Sequence, residues 1–294
     1  MQVIRARSAG FCLGVSLALR RLDQELDATP PPAEENAYAA QPKGRLITFG
    51  PIIHNPLVMR EYLEKGVVCE SDPQKIAPGD RVIIRAHGVP RDVEARIRAS
   101  GATIVDATCP KVKKAQVAIG KEHERGGTLL LFGEKEHPEV SGLLSYAGNQ
   151  ALVFGDLDEL AGLTLKEDLA YFLAAQTTQD RALFLQAKDQ LQQRLGRSIL
   201  TLNTICDATR DRQQEVIDLA DKVRALVVVG GLNSGNTRRL AEVARAKGLP
   251  TIHVEQAADI TPELAAEAFA GVTLIGLTAG ASTPEKHIDA MQEY

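Results

Sequence analysis

Three of the four cysteines in this chain, Cys12, Cys109 and Cys206, stand at two equal intervals of 97 residues. This spacing constrains the fold more than any other feature, because it divides 294 residues into three thirds that each open on a cysteine. The local setting repeats as well. Each cysteine lies between an apolar run and a helical pattern, in SAGFCLGVSLAL, VDATCPKVKKAQVAI and NTICDATRDRQQEVI. A helix amino terminus offers unpaired N–H groups and the positive end of its dipole, and both favour a thiolate.

The rest of the chain alternates between two patterns. GRLITFG, RVIIRAHG, ATIVDAT, GTLLLFG, DLAYFLAAQ, ALVVVGG and VTLIGLTAG are short apolar runs that end in turn residues. VSLALRRLDQEL, RDVEARIRAS, KKAQVAIGKEHE and RQQEVIDLADKVRAL carry apolar residues at three- and four-residue steps. Strands apolar on both faces, separated by amphipathic helices, indicate α/β units with mainly parallel sheets. The expected divisions are 1–107, 108–204 and 205–294. At comparable depths past the cysteines, polar residues follow strand ends: His54, His137 and Ser234, then His87, Thr177 and Ser282. The carboxyl ends of parallel strands face the crevice where ligands bind. Three facing units would bring three thiolates onto an approximate threefold axis within a ring of polar groups.

A net charge of −4 gives no broad attraction to nucleic acid or anionic lipid. No run is long and apolar enough to span a bilayer, and MQVIRARSAGFC lacks the apolar stretch of a signal peptide, so a cytoplasmic location is expected. A reducing compartment keeps the cysteines as thiols, free to bind metal. Sulfur-rich ligation suits zinc with a fourth ligand or an iron–sulfur cluster, and the lack of a close CxxC pair favours the cluster. A zinc-stabilised binding module stays open, as does nucleotide binding at VVVGGLNSGNTRRL, although the spacing of Gly230, Gly231 and Gly235 is not GxGxxG. Cys69, after Val67 and Val68, reads as a small packed residue. His123, His253 and His287 read as surface or core histidines, and the Pro-rich stretch at 28–43 as an exposed loop.

Nine ordered blocks bear a resemblance to a known family. They are Gly10-Phe11-Cys12, Gly50-Pro51-Ile52-Ile53-His54-Asn55, Ala86-His87-Gly88-Val89, Asp106-Ala107-Thr108-Cys109-Pro110, His137-Pro138-Glu139-Val140, Gln176-Thr177-Thr178, Ile205-Cys206-Asp207-Ala208-Thr209, Asn233-Ser234-Gly235-Asn236 and Thr278-Ala279-Gly280-Ala281-Ser282. In these blocks, over nearly its whole length, the chain resembles 4-hydroxy-3-methylbut-2-enyl diphosphate reductase, the terminal enzyme of the non-mevalonate isoprenoid pathway.

The resemblance implies a trefoil of three α/β domains around one four-iron four-sulfur cluster, held by Cys12, Cys109 and Cys206, with one iron lacking a protein ligand. It implies reductive loss of the substrate hydroxyl, with two electrons and two protons, giving isopentenyl and dimethylallyl diphosphates. A ferredoxin or flavodoxin is the implied donor. His54, His87, His137, Ser234, Asn236 and Ser282 are the implied diphosphate site, and histidines can add positive charge when protonated near neutral pH. Glu139 is the implied general acid, its pKa expected to rise beside an anionic substrate, with Thr177 on the substrate hydroxyl. Two positions depart from the family: Gly235, where serine is frequent, and Ala175, where threonine is common.

Overall fold

A computed structural model describes residues 2–28, 44–148 and 150–294. The chain begins with β1 (Gln2–Arg5) and α1 (Leu13–Asp27), then β2 (Leu46–Phe49), α2 (Pro56–Glu64), β3 (Val68–Glu70), β4 (Arg81–Ile84), α3 (Arg91–Ala99) and β5 (Thr103–Asp106). It continues through α4 (Pro110–Glu124), β6 (Thr128–Phe132), α5 (Pro138–Leu144), β7 (Leu152–Phe154), α6 (Leu157–Gly162), β8 (Tyr171–Ala175), α7 (Arg181–Leu195) and β9 (Leu200–Thr201). The last third holds α8 (Asp207–Ala220), β10 (Ala225–Val229), α9 (Gly235–Ala246), β11 (Thr251–Val254), α10 (Pro262–Phe269), β12 (Leu274–Ala279) and α11 (Glu285–Glu293). The Pro-rich reading falls, from residue 29 to 43, outside the described residues.

The strands form three four-stranded sheets, every pairing parallel, ordered β3-β2-β4-β5, β7-β6-β8-β9 and β11-β10-β12-β1. Each sheet has an apolar cluster on both faces, as strands without a polar face require. In β2, Leu46 packs towards α1 and α2, whereas Ile47 faces the cluster that includes Ile97 of α3. Leu130 and Leu131 divide in the same way in the second sheet, and Leu226 and Val227 in the third. All seven expected strands form. The helix expected over 212–226 stops at Ala220, because Ala225 and Leu226 already belong to β10 and a turn must intervene.

One strand is placed where cysteine spacing does not put it. Residues 2–5, counted with the first third, pair instead with β12 of the last. The three sheets are then equivalent: β5, β9 and β1 each occupy the fourth position, and each leads directly to a cysteine. Cys69 also differs from its reading. It is exposed, on an edge strand bonded only to β2. His123 is exposed, whereas His253 and His287 are half-buried, the former with Nε2 3.0 Å from the Gly230 carbonyl.

Candidate functional site

The threefold arrangement fixes where the polar residues point. Cys12, Cys109 and Cys206 are the N-cap residues of α1, α4 and α8. His54 precedes the N-cap of α2, while His137 and Ser234 are the N-caps of α5 and α9. His87, Thr177 and Ser282 follow β4, β8 and β12, at the carboxyl ends of the central strands. One pocket between the units is lined by all eleven site residues expected from sequence: the three cysteines, His54, His87, His137, Glu139, Thr177, Ser234, Asn236 and Ser282.

Each cysteine is tied to the polar ring by the same bond. The Cys109 N–H donates to the Ala86 carbonyl at 2.9 Å, Cys206 to Thr177 at 2.9 Å and Cys12 to Ala281 at 3.1 Å. All three thiols are half-buried. Burial raises the Cys109 pKa, the neighbouring Cys12 and Cys206 add to the rise, and N–H groups of Lys111 and Val112 oppose it. Gly14 stands where a Cβ would lie 2.5 Å from Cys109 Sγ, so the start of α1 leaves space that any other residue would take from the sulfur. Among the described residues, the group that brings three ligand atoms close enough to share one metal ion is His54, His87 and His137, whose atoms lie within 4.8 Å of one another. The thiols are not part of such a group.

The histidine rings form a compact triangle. Centroids are 4.2 Å apart for His54 and His87, 5.1 Å for His54 and His137, and 5.5 Å for His87 and His137. Burial, with Arg85 and Arg238 adding repulsion, lowers His54 to about 4. Burial and then His54 lower His137 to about 3, and burial leaves His87 well below its usual value. The rings among themselves are therefore neutral at pH 7, so the positive charge that protonated histidines can add is not supplied by the fold alone. They still present donors. His137 Nδ1 accepts the Glu139 N–H at 3.1 Å, which puts the proton of the neutral ring on Nε2. His54 Nε2, His87 Nδ1 and Asn236 Nδ2 are buried without a partner, the condition of groups built to meet a ligand. Ser282 Oγ donates to the His54 carbonyl at 3.0 Å and joins the first and third units.

Glu139 is 2% exposed. One carboxyl oxygen accepts the Thr177 N–H at 2.6 Å and the other accepts Thr177 Oγ1–H at 2.9 Å. Burial raises its pKa from 4.5 to about 7 against those two bonds. The rise expected beside an anionic substrate is thus already produced by the fold, and a buried acid near neutrality is poised to donate a proton.

Arg212 was not singled out in the sequence. It is 5% exposed, lines the pocket, and reaches the Gly10 carbonyl at 2.8 Å and the Ala208 carbonyl at 3.0 Å. It thereby staples the segments that carry Cys12 and Cys206. The signal was available: Val216 lies four residues beyond Arg212 and Leu219 seven, on one buried stripe of α8. Gly235 has a local reason, since its Cβ would lie 3.3 Å from Glu134 Oε1, and the same carboxylate pairs with Arg238 at 2.7 Å. At Ala175 the backbone N–H and carbonyl both bond Thr204 Oγ1, at 2.8 and 2.7 Å. The glycine-rich turn also serves packing, because a Cβ at Gly231 would lie 2.6 Å from the His54 carbonyl.

The family model described as LytB protein matches residues 3–294. A reductase named 4-hydroxy-3-methylbut-2-enyl diphosphate reductase from Nitratidesulfovibrio vulgaris (strain Miyazaki F) is 58% identical over 294 residues, 100% of this chain and 99% of that one. A solved structure titled (E)-4-hydroxy-3-methyl-but-2-enyl diphosphate reductase, the terminal enzyme of the non-mevalonate pathway, is 34% identical. It superposes with a TM-score of 0.67, over 100% of this chain and 98% of that one. The E-1-hydroxy-2-methyl-but-2-enyl-4-diphosphate reductase of Plasmodium falciparum shares the fold, with a TM-score of 0.88 at 24% identity, over 98% of this chain and 86% of that one. With its three thiols and polar ring gathered in one pocket and its whole length matched, the chain belongs to the LytB family of 4-hydroxy-3-methylbut-2-enyl diphosphate reductases.

Proposed function

We propose that the chain catalyses reductive dehydroxylation of 4-hydroxy-3-methylbut-2-enyl diphosphate to isopentenyl and dimethylallyl diphosphates. The observation that carries this reading is a buried acid, Glu139, in the same pocket as three thiols and an unsatisfied ring of donors. The overall change breaks one C–O bond, forms one C–H bond, consumes two electrons and two protons, and releases water. A small acidic ferredoxin or a flavodoxin supplies the electrons. Among the described residues, no helix is long and apolar enough to cross a membrane. The reducing cytoplasm suits three free thiols.

Cys12, Cys109 and Cys206 would hold a four-iron four-sulfur cluster, one iron of which has no protein ligand. The donor set fits it: three half-buried thiols at helix N-caps, beside the cationic Arg212 and the space left by Gly14. Such a cluster supplies electrons and Lewis acidity at the C–O bond. The chain's own residues do the rest. Imidazole N–H groups, the Ser234 and Ser282 hydroxyls and the Asn236 amide bind the diphosphate and fix its orientation, while enclosure between three units excludes water. Thr177 Oγ1 holds the substrate hydroxyl, and protonated Glu139 donates through it, which turns a poor leaving group into water.

The test is anaerobic iron and sulfide analysis, then addition of the allylic diphosphate with reduced methyl viologen. About four irons per chain and viologen oxidation that depends on the diphosphate are expected. Zinc in place of iron, or a cluster indifferent to the diphosphate, would point to the binding module instead. Replacing Cys109 by serine should abolish the cluster, and full iron content in that variant would refute the three-thiolate arrangement.

A further inference from the structure

The reductive reading requires two electrons to reach the cysteine-lined pocket from outside, and the inference here rests on that reading. The three thiol-bearing segments come to the surface together. Leu13 is 73% exposed and Phe11 37% exposed, and they flank Cys12 on either side. The next residue, Gly14, lies against Cys109 Sγ, and Lys111, two residues past Cys109, lines the pocket and pairs with Asp207, the neighbour of Cys206. A protein laid over the tip of α1 would therefore stand one residue from Cys12 and close to both other thiol segments.

Charge supplies the second half of the pattern. Arg20 lies seven residues beyond Leu13 on the same face of α1, about 10 Å along the axis, and Arg21 follows it. Both are exposed, as are Lys111 and Lys114 at the start of α4. Among the described residues Arg20, Arg21 and Lys114 make no ion pair, and Arg21 turns its guanidinium to the Asp106 carbonyl. Arg20, Arg21 and Lys114, with Lys111 offset by Asp207, leave an excess of positive charge on the helices that carry Cys12 and Cys109, beside an apolar, aromatic-containing tip, a local exception on a protein of net charge −4. Such an excess steers an acidic partner, and a small apolar tip suits the brief contacts of electron carriers.

We propose that Phe11 and Leu13, together with Arg20, Arg21, Lys111 and Lys114, are the docking surface for a small acidic one-electron carrier protein. The carrier loses one electron per encounter, and two encounters complete a turnover. The experiment measures turnover of the cluster-loaded protein with two donors, a reduced acidic bacterial ferredoxin and the small cation methyl viologen. Leu13→Glu and Arg20→Glu should each lower the ferredoxin-driven kcat/KM about tenfold or more, the loss expected when a docking contact of roughly 1.4 kcal/mol is removed. Iron content and the viologen-driven rate should be unchanged. Ferredoxin-driven rates equal to those of the unaltered protein, or falling in step with the viologen rates, would overturn the docking surface. If the unaltered protein fails with viologen, the reductase reading falls and takes the surface with it, a pattern distinct from either.

Discussion

Replacing Glu139 by glutamine tests both the acid and the origin of its raised pKa. The substitution keeps shape and one bond, since the amide oxygen still accepts the Thr177 N–H now at 2.6 Å. The amide NH₂ then faces Thr177 Oγ1, now 2.9 Å from the second carboxyl oxygen, and the hydroxyl turns to accept. What disappears is the proton. With a folded pKa of about 7 against 4.5, the native state holds a proton that the unfolded chain has released. Native stability therefore falls as pH rises from 4.5 to about 7, by about 3 kcal/mol at 1.36 kcal/mol per pKa unit. Glutamine does not titrate, so the variant is spared that loss. Anaerobic turnover should drop about 10²- to 10⁴-fold, the range for losing a general acid. Urea unfolding should show the stability difference moving in the variant's favour by about 3 kcal/mol between acidic and mildly alkaline pH. Undiminished turnover would remove Glu139 as the acid, and a pH-independent stability difference would refute burial as the cause of its raised pKa.

Gly14→Ala should lower iron and sulfide per chain while leaving circular dichroism intact, because its new methyl would sit 2.5 Å from Cys109 Sγ; full cluster content would show that the sulfur has room to yield. Binding of the diphosphate should draw protons into the histidine triangle, since a nearby anion favours the charged form against the burial, and the lesser repulsion, that hold His54 at about 4 and His137 at about 3. Calorimetry in buffers of different ionisation heat, slightly below neutral pH, should show net proton uptake, and identical heats would refute it. Thr177→Val removes a bond that lowers the Glu139 pKa, so the alkaline limb of the rate profile should move to higher pH as the neutral-pH rate falls. A limb that stays in place would mean that the hydroxyl does not control this proton.

Fold and site were legible in the sequence for a shared reason. Strands such as Leu129–Leu130–Leu131–Phe132 are buried on both faces, so their apolar runs are unbroken, and the cysteines mark the repeat. The four strands not anticipated, β1, β7, β9 and β11, have two to four residues each, and most of those residues are not fully buried, too few to rise above the loops around them. The cysteines and His54, His87, His137, Thr177, Ser234 and Ser282 could be placed because they recur after equivalent strands, whereas Glu139 and Asn236 were named only through the family resemblance. Their protonation could not be read from sequence. The low pKa values of His54, His87 and His137 come from two units, the first carrying His54 and His87 and the second His137, burying the rings against one another, a product of tertiary packing that no local pattern encodes. Arg212 escaped notice because arginine on a helix is ordinary: its place on the stripe of Val216 and Leu219 marked it as inward-facing, and the convergence of α8 on the Gly10 segment makes it a staple.

The placement of β1 beside β12 makes the chain a ring cut once, with its opening strand as the clasp. Every cysteine follows the last strand of one sheet and begins the helix that covers the next, so each sulfur rides on a seam and none lies inside a unit. A cofactor gripping all three sulfurs then works as a rivet through the seams. By linkage, its binding free energy adds to the closed arrangement of the units. The sheets themselves owe it little, because each already has both faces covered. Loss of such a rivet should loosen the joints and leave three folded plates.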